Sequence, residues 1–256
     1  MDYLSYWSLL RRPFRNTEDP CFFKGAPQRE AIAGLNYFFN SNLKAATFVS
    51  PRRCGSTTLL EHIQKMRGFD DCAAELVFTS AIDGPSEAVF QHLARAMGFV
   101  TLRTDPSEQV DAAIHAATSH GVGVVWVIDE GSAVTARVAR ELIDAHSQFS
   151  VLIATTPQSY ARRVIEFGRT PMRMDLSPLS IDDSIEYMQY CLEHAGGSRT
   201  LFSDNTIVRL HELSLGALAE IAELAESSLA LAAIHQLDEV PIAVVEAIQE
   251  QRSAAA

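Results

Sequence analysis

The sequence predicts an α/β protein in which a parallel β-sheet has helices on both faces and a smaller all-helical part follows. Short apolar segments suited to strands alternate with helical segments as far as Pro178, and this alternation is typical of parallel sheets. From Ser180 onward only helical patterns follow. The segment from Phe48 to Leu60 has the pattern of a strand, a tight turn and a helix start, which is the layout of a phosphate-binding loop.

These patterns predict three regions. Residues 1–27 are rich in aromatic residues and contain Pro13, Pro20 and Pro27, which exclude a long helix. We expect an extended segment whose aromatic side chains pack on a neighbouring surface. Residues 28–178 form the α/β core, and residues 179–256 form the helical domain.

Apolar runs and helical spacing give the individual elements. Strands are predicted at Phe48–Val49, Glu75–Thr79, Gly123–Ile128, Ser150–Ala154 and Arg173–Leu176. Helices are predicted at Gln28–Phe39, Thr57–Arg67, Ser86–Met97, Asp105–His120, Ala136–His146, Ile181–His194, Asp204–Leu213, Gly216–His235 and Pro241–Gln251.

The charge balance bears on partners and location. The chain has 256 residues with a formal net charge of −11, which disfavours broad electrostatic binding to nucleic acid or anionic lipid. Its four cysteines form no C-x-x-C pair, as suits a reducing compartment. No signal-peptide pattern or membrane-length apolar run is present. We therefore expect a cytoplasmic protein without direct membrane insertion.

The predicted loop departs from the G-x-x-x-x-G-K-[ST] pattern. Gly55 and Thr57 remain, but Ser50 replaces the first glycine and Ser56 replaces the lysine. Such loops need backbone N–H groups on phosphate, a hydroxyl on Mg²⁺ and a cation on the terminal phosphates. Two arginines within the loop could supply the cation, or their bulk could block phosphate. The candidate nucleotide-binding residues are Ser50, Arg52, Arg53, Cys54, Gly55, Ser56, Thr57 and Thr58.

A second motif follows the most apolar strand. Val124–Ile128 is followed by Asp129 and Glu130, the Walker B pattern. Asp129 would share a Mg²⁺ ion with the hydroxyl of Thr57, and Glu130 would polarise the attacking water. The alternative is an ordinary strand that ends in acidic residues.

Polar and basic residues follow the next strand. Thr155 and Thr156 close it, and a hydroxyl there can bond the attacking water, although threonine is also common where strands end. Four arginines precede the helical part, and they could reach a phosphate bound to a neighbouring subunit or form a solvated basic surface. They are Arg162, Arg163, Arg169 and Arg173.

With these elements in order, the chain resembles an AAA+ ATPase, and more closely the ExeA/GspA-type ATPases of the general secretion pathway, which are related to ATP-binding subunits of some transposition systems. The segment Tyr6–Pro20 is similar to the opening of that family. Gln28–Ala31 with Leu35 matches its first helix. Arg173–Ser180 resembles its entry into the lid, and Ala195–Ser203 resembles a lid turn.

The resemblance implies ATP or ADP with Mg²⁺ as cofactors. It also implies that Thr57 and Asp129 are metal ligands. The catalytic residues that it implies are Glu130, Thr156 as sensor 1 and Arg169 as the arginine finger. The resemblance further implies that the chain forms oligomers with AAA+ subunits. It also implies a protein partner in a secretion, pilus or mobile-element system.

Three departures change the expected activity. Ser56 replaces the lysine, Arg53 stands where a loop glycine is usual, and Ala219 occupies the place of the sensor 2 arginine. We therefore expect weak nucleotide binding and very slow or absent hydrolysis. Two alternatives stay open: a non-catalytic adaptor of the same fold that binds protein partners without nucleotide, and a DNA-binding transposition regulator, which the acidic balance disfavours.

Overall fold

The computed structural model describes residues 2–14, 22–41, 43–69, 72–80, 84–99, 105–129, 132–168 and 170–255. The chain divides into two compact units. The sheet unit comprises Glu30–Ser50 and Thr57–Leu176. The helical unit comprises Met1–Arg29, Pro51–Ser56 and Ser177–Ala256.

The sheet unit is built around one sheet, whose strands follow the order β2-β3-β4-β5-β1-β6 in the described part of the chain. The strands are β1 (Ala45–Val49), β2 (Gly68–Phe69), β3 (Cys72–Thr79), β4 (Gly123–Asp129), β5 (Phe149–Thr155) and β6 (Met172–Asp175). Every neighbouring pair is parallel except β2 with β3. The five predicted strands are confirmed, and their carboxyl ends meet at one edge.

Helices alternate with the strands and continue alone in the helical unit. They are α1 (Tyr3–Tyr6), α2 (Ala26–Asn40), α3 (Ser56–Met66), α4 (Ser86–Ala96), α5 (Pro106–Ser119), α6 (Ala133–Ala145), α7 (Tyr160–Phe167), α8 (Ile181–His194), α9 (Asp204–Ser214), α10 (Leu218–Ile234) and α11 (Ile242–Ala255). The fold is therefore α/β, with a curled parallel sheet flanked by helices and a helical C-terminal region, as the sequence predicts.

Several elements differ from the prediction for local reasons. The hairpin strand β2 has two residues, too few to show periodicity. Helix α7 buries only Phe167 fully, so its apolar spacing is sparse. Helix α6 begins three residues early because Ser132 and Thr135 form a capping box. Helix α10 begins after Gly216, whose φ of +73° is not helical.

The core of the sheet unit is centred on β4. All five residues from Val124 to Ile128 are buried, as expected for an apolar strand between two parallel neighbours. Trp126 is fully buried, and its indole N–H donates to Oγ1 of Thr79 at 2.8 Å. Leu93 of α4 and Ile114 of α5 belong to the same core cluster. Each such apolar side chain contributes about 1.5–3 kcal/mol by leaving water.

The N-terminal segment packs into the core of the helical unit. Trp7, Leu9, Phe14 and Phe23 are buried there among residues of α8 to α11. The indole N–H of Trp7 donates to the carbonyl of Leu229 at 3.0 Å. The described part of this segment thus places its aromatic side chains on a neighbouring surface, and residues 15–21 lie outside that part.

A buried carboxylate on α10 also holds the N-terminal segment. Glu226 is 7% exposed. Its Oε1 accepts a hydrogen bond from the hydroxyl of Tyr3, and its Oε2 accepts one from the backbone N–H of Phe14 at 3.3 Å. Burial, followed by the hydrogen bond to Glu226, raises the pKa of Tyr3 above its ordinary value.

We expect Tyr3→Phe to lower the free energy of unfolding by about 1.5–3 kcal/mol, because it removes a hydrogen bond to a buried carboxylate. Tyr6→Phe is the matched control, since the Tyr6 hydroxyl donates to the neutral carbonyl of Leu237 at 2.9 Å, and about 0.5–1.5 kcal/mol is expected. Urea unfolding measures both. Because the folded pKa of Tyr3 is raised, its contribution is complete below about pH 10 and declines above it. If Tyr3→Phe and Tyr6→Phe lowered the free energy of unfolding equally, the hydrogen-bond partner of Tyr3 would not behave as a charged group.

The longest described helix of the helical unit, α10, has 17 residues. Within the residues that the structure covers, no helix combines the length and the apolar character that crossing a bilayer requires.

Candidate functional site

Polar residues from several parallel strands meet at the carboxyl edge of the sheet unit. Val49 ends β1 and lies in register with Thr155 of β5 on one side and Asp175 of β6 on the other. The N–H of Ser50 donates to the carbonyl of Thr155 at 3.0 Å. Asp129 ends β4, the strand on the far side of β5, and is exposed. Ser50 and Asp129 therefore lie at the same edge, with β5 between their strands.

The two threonines after β5 occupy different positions. Thr155 is the last strand residue and is 6% exposed. Its Oγ1 has no hydrogen-bond partner within the described structure. Thr156 follows the strand, and its carbonyl accepts the N–H groups of Ser159 and Tyr160 at 3.1 and 3.0 Å. Thr156, the predicted sensor, thus forms the turn into α7.

The turn from β1 to α3 is tight and includes two residues with positive φ. Arg53 has a φ of +68° and Gly55 a φ of +91°. Glycine adopts this region at little cost, whereas a residue with a Cβ does so rarely. Arg53, which is predicted to replace a loop glycine, therefore has a backbone conformation that favours glycine. The segment Pro51–Ser56 belongs to the helical unit.

The side chains around this turn differ in exposure. Arg52 is exposed, and Ser56 is half-buried at the first position of α3. Thr57 and Thr58 are exposed in the same helical turn. Cys54 is 2% exposed, and burial raises the pKa of its thiol. That thiol stays protonated near neutral pH, so it is a packing residue rather than a nucleophile.

Arg53 binds helix α10. Its Nε lies 2.5 Å from Oε1 of Glu220, and its Nη2 lies 2.6 Å from Oε1 of Glu223. Nη2 of Arg252 lies 2.8 Å from Oε2 of Glu220 and 3.1 Å from Oε2 of Glu223. We call these four residues the four-charge cluster. The hydrogen bond that Arg53 donates to Glu223 is the main reason that the pKa of Arg53 is raised.

A backbone hydrogen bond joins the same two segments. The N–H of Ala219 donates to the carbonyl of Arg53 at 2.9 Å. Ala219 is the residue that the sequence resemblance predicts in place of a sensor 2 arginine. In this chain that position contacts the loop through its main chain. No sequence pattern predicts this arrangement, because Glu220 and Glu223 look like the solvated face of a helix.

Three of the four candidate arginine fingers lie in the described part of the chain, and each forms an ion pair with a nearby acidic residue. Arg162 and Arg163 both bind Glu166 at 2.8 Å. Burial raises the pKa of Glu166, but these two hydrogen bonds outweigh it and leave the pKa below its ordinary value. Arg173 lies 2.7 Å from Asp175 and stacks over the ring of Tyr160. The predicted catalytic residues Glu130 and Arg169 lie outside the described residues.

Within the described ranges, no group of three or more histidine, cysteine, aspartate or glutamate residues is arranged to hold a metal ion. The predicted metal ligands, Thr57 and Asp129, are a hydroxyl and one carboxylate. A Mg²⁺ ion on such a pair would depend on waters and substrate phosphates for its remaining ligands.

The parallel sheet, the strand-to-helix turn and the helical C-terminal region match the fold of an AAA+ ORC2-like structure. The ORC2 protein of Aeropyrum pernix in its ADPNP–ADP complexes has a similar structure, with a TM-score of 0.69 over 94% of this chain and 71% of that chain, at 12% identity. The ADP form of ORC2 is similar with a TM-score of 0.66 over 94% of this chain and 72% of that chain, at 11% identity. At such identities the likeness establishes the fold alone. The sequence matches no protein-family model and no curated protein.

Proposed function

We propose that the protein is a non-hydrolysing AAA+-type subunit that binds nucleotide weakly at most and acts through contacts with other proteins. One observation carries this proposal: Arg53, the loop arginine closest in sequence to the missing lysine position, is bound by two carboxylates of α10. Terminal phosphates would have to compete with these two carboxylates for the guanidinium of Arg53.

The donors around the loop do not fit a triphosphate. The lysine position is Ser56, and the sensor 2 position is Ala219, whose N–H already binds the loop carbonyl. Each lost charge-assisted contact costs about 1.5–3 kcal/mol of binding. Each lost transition-state donor costs ~10²–10³ in rate. We therefore assign no hydrolytic step to Glu130, Thr156 or Arg169.

Some features of a nucleotide site remain. Thr57 and Asp129 keep the hydroxyl and carboxylate that would bind Mg²⁺, and Gly55 keeps the turn. ORC2, with the same fold, was solved with ADPNP and ADP. Weak binding of ATP or ADP is thus the most that these residues support. A nucleotide-free adaptor is the second candidate, and the ion pairs of Arg53 favour it.

The resemblance to ExeA/GspA-type ATPases suggests where such a subunit would work. We infer a place in a homo- or hetero-oligomer with AAA+ subunits, within a secretion, pilus or mobile-element system in the cytoplasm, peripheral to any membrane complex. An inactive subunit beside active ones would contribute contacts rather than turnover. The net charge of −11 disfavours nucleic acid as the main partner.

A phosphate-release assay with Mg-ATP tests the proposal. We expect the unmodified protein to release phosphate no faster than Asp129→Asn, which removes the carboxylate that a hydrolytic site needs. Circular dichroism establishes that the variant is folded. Turnover in the unmodified protein that Asp129→Asn abolishes would overturn the proposal. Nucleotide that co-purifies with the protein would decide against the adaptor without nucleotide.

A further inference from the structure

We propose that Glu220 and Glu223 act as an internal substitute for phosphate: they bind the loop arginine, close the loop on α10 and compete with polyphosphate. This inference rests on the proposed function, because it explains why the site is inactive. It goes further in naming an autoinhibitory contact that substitution can release.

The geometry of the four-charge cluster supports this role. Both glutamates lie on one turn of α10, three positions apart, so their side chains share a face. Each uses Oε1 for Arg53 and Oε2 for Arg252. Two carboxylates therefore bridge two guanidinium groups, which is an arrangement that phosphate oxygens also satisfy. A polyphosphate that approached Arg53 would meet two negative charges already bound there.

The main chain holds the loop in the same closed position. The N–H of Ala219 lies in the first turn of α10, where helical N–H groups have no partner within the helix. It donates instead to the carbonyl of Arg53 at 2.9 Å. This hydrogen bond and the ion pairs of Arg53 connect the same two segments, so we expect loss of the ion pairs to weaken the hydrogen bond.

The contact is reversible because its members are partly solvated. The side chains are 41% exposed for Arg53, 27% for Glu220, 31% for Glu223 and 35% for Arg252. Ion pairs at such exposure are individually weak and are screened by salt. Neutralising both glutamates should therefore release the arginines while the fold stays intact.

Binding of inorganic tripolyphosphate, measured by calorimetry at low salt, tests the inference. We expect Glu220→Gln/Glu223→Gln to bind it at least about tenfold more tightly than the unmodified protein, because two guanidinium groups are freed. Glu212→Gln/Glu246→Gln is the matched control, since both residues pair with one arginine, Arg209, in the same unit. It removes the same charge and should leave binding unchanged. Equal gains in the two variants would overturn the inference.

Amide hydrogen exchange at Ala219 gives a second readout without ligand. Its protection depends on the Arg53 carbonyl, so we expect exchange to become at least about tenfold faster in Glu220→Gln/Glu223→Gln and to stay unchanged in the control. Unchanged exchange in the first variant would show that the ion pairs do not hold the loop, and the inference would fail.

Restoring the missing cations separates this inference from the proposed function. We expect Ser56→Lys/Ala219→Arg to bind Mg-ATP at least about tenfold less tightly than the same pair combined with Glu220→Gln/Glu223→Gln. Equal affinity of the two would refute the internal substitute and leave the proposed function intact. ATP turnover in the unmodified protein would refute the proposed function instead.

Discussion

Gly216→Ala is expected to destabilise the helical unit by about 3–5 kcal/mol, through steric overlap and an unfavourable backbone conformation together. Gly216 has a φ of +73° and follows Leu215, which also has positive φ. Its N–H donates to the carbonyl of His211 at 3.1 Å, and its carbonyl accepts the N–H of Leu179 at 2.9 Å. A Cβ at this position would overlap the carbonyl oxygen of Leu179 and lie 3.1 Å from Cε1 of His211.

Gly196→Ala is the matched control. Gly196 lies in the same unit with a similar φ of +78°. The atoms nearest to a Cβ there belong to the side chain of Leu10, at 3.1 Å, and that side chain is 86% exposed and can move. About 1–2 kcal/mol is expected from the backbone alone. Urea unfolding followed by circular dichroism compares the two, and a difference below about 1 kcal/mol would mean that the chain around Leu179 relaxes at little cost.

Much of the sheet unit follows from local sequence. The run Val124–Ile128 is apolar without alternation because β4 is buried on both faces, and that pattern alone predicts a central parallel strand. The turn at Gly55 needs a positive φ, so the glycine marks it directly. The positions of Ser50 and Asp129 at one edge follow in turn, because parallel strands align their carboxyl ends.

The contact on which the proposed function rests could not be predicted in the same way. Arg53 and Ala219 are 166 positions apart, and no periodicity links an arginine in a turn to glutamates on a distant helix. Charged residues on a helix are ordinarily solvated, so Glu220 and Glu223 carry no local signal. The sequence left open whether Arg53 replaces the missing lysine, and the ion pairs of Arg53 with α10 support our proposal that it does not.

Trp126→Ala is expected to lower the stability of the sheet unit by about 3–5 kcal/mol, the range for removing a large buried aromatic side chain. Trp126 is fully buried in the core cluster of the sheet unit. It lies in register with Val77 of β3 and Val151 of β5, so its loss leaves a cavity at the centre of the sheet. Packing in a protein interior is dense, and strands hydrogen-bonded on both sides cannot close such a gap.

Two smaller changes separate the contribution of the aromatic ring of Trp126 to stability from that of its hydrogen bond. Trp126→Phe keeps an aromatic ring and should recover most of the stability. Thr79→Val removes the acceptor 2.8 Å from the indole N–H and leaves a buried donor unpaired, at a cost of about 1–3 kcal/mol. Amide exchange along β4 should become faster as stability is lost. The strand ends in Asp129, so this measurement also reports on the backbone that positions that residue. An Ala variant no less stable than the Phe variant would mean that the space around residue 126 collapses, and the rigid placement of Asp129 could not then depend on this side chain.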